Sequence, residues 1–384
     1  MPLLVWGLAW WFGAGAHEIF EYADTDKSLT LALIAFSTGS FLLAYFVEHK
    51  FNWIPLRTLM LAVLPAMFIL LVLSRLAGFG HPFGQYGWTV WPIMIAMFYF
   101  LLFKYREIER KSILKWQHVV GFWFVMIFVS WEMAWTVDEL VQGGRAWRDV
   151  MYALTPAVLM LLLFIHGRKV RWPFALHYDW YVGLASLPMI VILGLIALGF
   201  GVLHEGNPWP LVYIPVINPV DLLVVFLLYL ILVWRNKVDF HEALKDTRGI
   251  EYVGYIIAVI AFLWLNGMIA RTIHHWFGVP YDLFRLMHAV EFKATVSVIW
   301  TMVALSTMLY GSRKLKRHIW FTGLSLFALV VAKLFIFDLH RANTLAIIIS
   351  LLVVGGLTVV FGYYLSPLPP RPDSVEVKST GENV

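Results

Sequence analysis

The residues of this chain that could do chemistry are ionisable side chains set inside apolar runs, and Glu132 is the clearest of them. A charge near the centre of a bilayer costs at least about 2.5 kcal/mol on insertion scales, so Glu132 should be neutral, paired or facing a water-filled cavity. Glu139 lies two turns further on and shares a face with it through Trp135, with Asp138 beside it. Arg271 shares a helical face with His274 and His275 at spacings of three and four. With Glu18, next to His17, these groups are expected to form one polar cluster at the outer membrane side, with Arg271, His274 or His275 as the partner of Glu132. Glu139 or Asp138 as acid or base with His274 or His275 as partner suits a membrane enzyme, and the same cluster with Glu132 and Lys333 suits a transport path. The plainer reading of the same spacing is interface packing with charged helix ends reaching water. Lys333 poses the same problem in a later run. Asp338 stands at i+5, off its face, so a partner from another helix is expected. Asp221, just after Pro219, reads as a helix N-terminal acid.

Recognised catalytic motifs are absent. His17-Glu18, His204-Glu205 and His241-Glu242 lack the second His that makes a helix-borne zinc site, and there is no P-loop and no G-x-S-x-G elbow. The 384 residues include no cysteine, which removes thiolate metal sites and Cys nucleophiles. No cofactor and no metal are expected.

The elements that must position these groups follow from composition. The chain is 61% hydrophobic and 14% charged, against roughly 25% charged in a soluble domain. It cannot build a polar shell, and it reads as an all-α polytopic membrane protein. Apolar runs fall near 2–20, 29–47, 57–74, 88–103, 117–137, 149–165, 179–200, 219–234, 251–270, 288–310, 319–337 and 345–365. Continuous runs of that length are spanning helices and not barrel strands. Twelve spans are expected, followed by a polar, Pro-rich tail over 366–384 with nothing apolar to bury.

Connections after even-numbered runs, with the tail, carry 20 of the 29 Lys and Arg, and those after odd-numbered runs carry seven. That bias places both termini in the cytoplasm, by the rule that basic loops stay on that side. The net charge of +5 then faces anionic headgroups, so membrane lipids and envelope proteins are the expected partners and nucleic acid is not.

Internal repetition is legible as well. Leu61-Ala62-Val63-Leu64-Pro65 leading to Gly80-His81-Pro82 matches Leu184-Ala185-Ser186-Leu187-Pro188 leading to Gly206-Asn207-Pro208. Trp131, Ala134 and Asp138 match Trp264, Gly267 and Arg271, and Trp11, Ala14 and Glu18 keep the same spacing. Three parallel four-helix units are expected, near 1–111, 112–248 and 249–365.

The segment Ala332-Lys333-Leu334-Phe335-Ile336-Phe337-Asp338-Leu339, the run Ser350 to Gly356, Gly362-Tyr363-Tyr364 and Trp10-Trp11-Phe12-Gly13 resemble parts of a large group of uncharacterised bacterial membrane proteins, a domain of unknown function. Members of that group are typically longer and commonly carry an Arg where this chain has Ile347. The resemblance implies a bacterial inner-membrane location and no established activity. Three function classes stay open: transport or flipping of a small or lipid-linked envelope substrate, a membrane enzyme acting on such a substrate, and a non-catalytic envelope scaffold.

Overall fold

The computed structural model describes residues 2–107, 110–238, 249–334 and 336, with 348, 351–352, 354–356, 358–359 and 362; the side chains of 249–252 are not described. Asp338, most of the run 345–365 and the tail 366–384 lie outside the described residues. Among the described residues the structure is helical, with no strand: α1 (Pro2–Tyr22), α2 (Asp26–Phe51), a 3-10 segment (Ile54–Ala62), α3 (Val63–Leu76), α4 (Gly87–Lys104), α5 (Lys111–Leu140), α6 (Arg145–His166), a π turn (Trp180–Ala185), α7 (Ser186–Leu203), α8 (Pro219–Lys237), α9 (Gly249–Phe277), α10 (Leu283–His288), α11 (Val290–Arg313) and α12 (Arg317–Lys333). Nine helices among these residues are long and apolar enough to cross a membrane. Neither the 21-residue α1 nor the 17-residue α12 is one of them.

The chain divides into two compact units, 1–264 and 265–384. The first is organised by the 30-residue α5. Val119, Phe122 and Met126 recur at helical spacing on one of its faces and pack with Val150, Met160, Leu193 and Leu227 of α6, α7 and α8. Phe124 and Phe128 lie on the opposite face and pack with Ile34, Met67, Trp91 and Met94 of α2, α3 and α4. One helix therefore serves two cores. The faces turned away from them stay apolar, with Ile127, Leu162, Val191 and Leu195 exposed, as a lipid-facing surface requires.

Helix ends are set by local chemistry. Thr25 and Ser28 form a capping box at the start of α2, and Asn52 ends it in the left-handed region. The Asn218 side chain accepts from the Val220 and Asp221 backbone N–H groups, with Pro219 at the first helical position of α8. At the start of α4, Gly87 lies so close to the Pro82 carbonyl oxygen that a Cβ there would collide with backbone, which fixes how the loop 77–86 meets the helix.

In the second unit α11 and α12 form a tight antiparallel pair. A Cβ on Gly323 would come within 2.7 Å of the Ala304 carbonyl oxygen, so the small residue is what allows the two backbones to approach. Lys333 of α12 donates to the Ser297 hydroxyl at 2.7 Å and the Lys293 carbonyl at 3.1 Å, both on α11. Its ammonium is thereby held by the neighbouring helix.

Candidate functional site

Glu132 is 8% exposed on α5, on the face that carries Phe124 and Phe128. That face meets the loop between α3 and α4. The loop brings His81 Nδ1 to 2.9 and 3.1 Å from the two carboxylate oxygens, and the Phe83 backbone N–H donates to Oε2 at 3.0 Å. Trp135, one turn along, stacks on the His81 ring at 3.4 Å between centroids and 9° between planes. Trp131 donates its indole N–H to the Gly80 carbonyl at 2.8 Å, with the Arg75 guanidinium over its ring. The imidazole is thus held by Trp135 on one face and Glu132 at Nδ1, and the carboxylate also has a backbone amide donor. The imidazole and the carboxylate together form an acid–base pair of the kind that can pass a proton.

Other sequence-selected residues lie elsewhere in the first unit. Asp138 reaches Arg148 of α6 at 3.8 Å, while Arg148 also pairs with Asp149 at 3.0 Å and His204 stands 3.6 Å from Asp149. These side chains are roughly one-sixth to two-fifths exposed, so the cluster is solvent-screened. Glu139 and Glu18 are exposed near the ends of α5 and α1. Asp221 is fully buried and receives the Trp264 indole N–H at 2.7 Å, the Val216 N–H at 3.3 Å and the Asn218 side-chain amide. It is a network member as well as a helix N-terminal acid.

Arg271, His274 and His275 belong to the second unit. Arg271 is fully buried. His274 Nδ1 lies 2.7 Å from the Val279 carbonyl oxygen, and its ring meets those of His275 and Tyr281. Glu132 has His81 as its imidazole partner, where the sequence pointed to the basic face of α9.

Two buried polar groups of the first unit were not singled out in the sequence. Glu48, near the end of α2, accepts from Arg57 at 2.5 Å and from the Tyr105 hydroxyl at 2.9 Å. The phenol of Tyr105 is pushed above its usual range, first by burial and then by the Glu48 carboxylate. His118, 1% exposed in the second turn of α5, sits 2.7 Å through Nδ1 from the Tyr181 hydroxyl and 4.6 Å, ring to ring, from His177. His81 stood in the Gly80-His81-Pro82 motif, and His118 stood inside an apolar run, where the rule that selected Glu132 applies equally.

A segment of 179 residues is 27% identical to the protoheme IX farnesyltransferase of Rhodopseudomonas palustris, covering 40% of this chain and 56% of that protein. The chain therefore spans little more than half the length of this relative. No solved structure matches. The family model described as "Predicted membrane protein (DUF2339)" matches residues 2–369, and with nine candidate spans and no strand among its described residues the chain belongs to that family of integral membrane proteins.

Proposed function

We propose that the protein transports or flips a small or lipid-linked envelope substrate across the bacterial inner membrane, with the Glu132–His81 pair as its proton-exchanging site. The observation that carries this reading is the nature of the partner. Glu132 is buried in a span and its counter-group is an imidazole, a side chain that can give or take a proton, delivered by a loop rather than by a packed helix. Left-handed backbone at Gly78, Gln85 and Tyr86 gives the loop sharp turns around which it can re-pair. Loss and recovery of one proton would bind and release the loop, and so open and close the α3–α4–α5 end of the unit.

The scaffold of this reading has twelve spans, both termini in the cytoplasm, and three parallel four-helix units near 1–111, 112–248 and 249–365. Two indole contacts support the repeat. Trp131 donates to the segment that opens α4, and Trp264, its match, donates to Asp221 at the opening of α8. Membrane lipids and envelope proteins are its partners.

The test is replacement in the native host. Glu132→Gln and His81→Gln should insert at wild-type levels and fail to complement a deletion, whereas full complementation by Glu132→Gln overturns the proposal. A second reading, a membrane enzyme on a lipid-linked substrate, is favoured by the name of the R. palustris relative, a farnesyltransferase. Turnover of a prenyl diphosphate by the purified chain would select it.

A further inference from the structure

Three buried side-chain nitrogens without a hydrogen-bond partner cluster where α5 begins and the α6–α7 connection folds back: His118 Nε2, His177 Nε2 and Trp172 Nε1. Native interiors leave few such groups, and each calls for a partner. His118 and His177 are ring neighbours, with centroids 4.6 Å apart and planes inclined at 49°. Their remaining contacts fix them in place. Tyr181 holds Nδ1 of His118 at 2.7 Å, and Trp180 stacks on His177 at 4.1 Å and 8°. Trp172 stands edge-on to His118 at 6.4 Å.

Direct pairing of the two imidazoles would leave one nitrogen of each satisfied, yet both Nε2 atoms are orphaned. A shared ion satisfies both at once. With metal–nitrogen bonds of about 2.0–2.1 Å and angles between square and tetrahedral, two imidazoles on one ion have ring centroids about 4.5–5.2 Å apart. The observed 4.6 Å falls inside that interval. The Nδ1 of His118 bonded to Tyr181 repeats the outer-shell hydrogen bond that orients metal-ligating histidines.

We propose that His118 and His177 form a binding site for one transition-metal ion of the zinc and copper class, coordinated through their Nε2 atoms. Imidazole suits this class, and two protein ligands leave positions open for water or a small anionic ligand. No group of three His, Asp or Glu able to hold a metal occurs among the described residues, so those positions belong to exogenous ligands. His177 also lines a polar cavity of about 450 Å³ with Arg168, Tyr178 and Asp179. This site is separate from the Glu132–His81 pair, so the two proposals can fail independently.

The experiment is metal titration of the purified full-length chain in detergent, with Zn2+ measured by elemental analysis after desalting and Co2+ followed by its visible absorption. Wild type should retain about one equivalent of zinc and develop a nitrogen-ligated cobalt spectrum. His177→Gln changes a half-buried side chain outside the spans and should lower affinity more than tenfold, as should His118→Gln. Tyr181→Phe should lower it about tenfold, and His166→Gln, at an exposed position, should match wild type. A wild-type chain that holds no stoichiometric ion at micromolar free metal overturns the proposal and leaves a bridging water as the partner. Equal binding by wild type, His118→Gln and His177→Gln overturns it as well.

Discussion

Glu48 and Glu132 are both buried carboxylates in spans of the first unit, one near the end of α2 that leads into a basic connection, the other near the opposite end of α5. Each accepts two kinds of donor. Glu48 has a guanidinium and a phenol, and Glu132 has an imidazole and a backbone amide. Arginine stays charged at any accessible pH, so Glu48 keeps its cation and the cluster holds α2, the 3-10 segment and α4 together. The Glu132 pair has an imidazole in place of the guanidinium, a group that can give or take a proton. Under the proposed function burial does not distinguish the two acids; the chemistry of the partner does.

The largest effect should come from breaking the permanent pair. Arg57→Ala leaves Glu48 without its cation, and loss of one partner of a buried pair costs about 3–5 kcal/mol. Because Arg57 is 22% exposed, a loss near the lower end, about 3 kcal/mol, is expected, read as a fall in thermal unfolding temperature in detergent. Tyr105→Phe removes one hydrogen bond to a charged acceptor and should cost about 1.5 kcal/mol. It should also change the alkaline limb. The folded phenol titrates above its ordinary value of 10.0, so its contribution is complete below about that pH and declines as pH rises toward the folded value. Unfolding followed from pH 8 to 11 should show a steeper decline in wild type than in Tyr105→Phe. Equal slopes would mean that the phenol does not titrate differently in the two states.

Glu132→Gln should separate the two acids most clearly. The amide keeps an oxygen for the Phe83 N–H and roughly the same volume, so the cost should be about 1 kcal/mol while complementation is lost. If it destabilises as much as Arg57→Ala and function survives, Glu132 is a second structural acid and the contrast fails.

The helices and the special status of Glu132 were legible because hydropathy and the cost of a buried charge are local properties of a sequence. The partner was not. His81 lies 51 positions away in a loop, and nothing in its spacing says that the loop folds against α5 rather than into water. Arg271, His274 and His275 were attractive because they share one helical face, but face sharing fixes neighbours on a single helix and says nothing about which helix comes next. Glu48 escaped notice for a related reason: it falls just past the apolar run 29–47, where a charge reads as a solvated helix end. Its burial arises from the 3-10 segment and Tyr105, which fold over the end of α2. Lys333 was readable as needing another helix because its only nearby acid was off-face, and α11 supplies that helix with neutral oxygens.

The smallest effect is expected at Asp138, the acid that the sequence grouped with Glu132. Its contact with Arg148 is long, at 3.8 Å, and the two side chains are 43% and 37% exposed. Water and salt therefore screen the attraction, and exposed pairs of this kind contribute about 0.2–1 kcal/mol. Arg148 also keeps a shorter contact to Asp149, at 3.0 Å through both Nε and Nη2, so Asp138→Asn leaves the guanidinium paired. Asp138→Asn should cost less than about 0.5 kcal/mol, with the difference shrinking further in high salt, and should complement a deletion at the wild-type level. Complementation assays of Asp138→Asn beside Glu132→Gln check this directly. Loss of function in Asp138→Asn with retention in Glu132→Gln would move the site to the exposed cluster of Asp138, Arg148, Asp149 and His204, and proton exchange would then have to be sought at the membrane surface instead of inside α5.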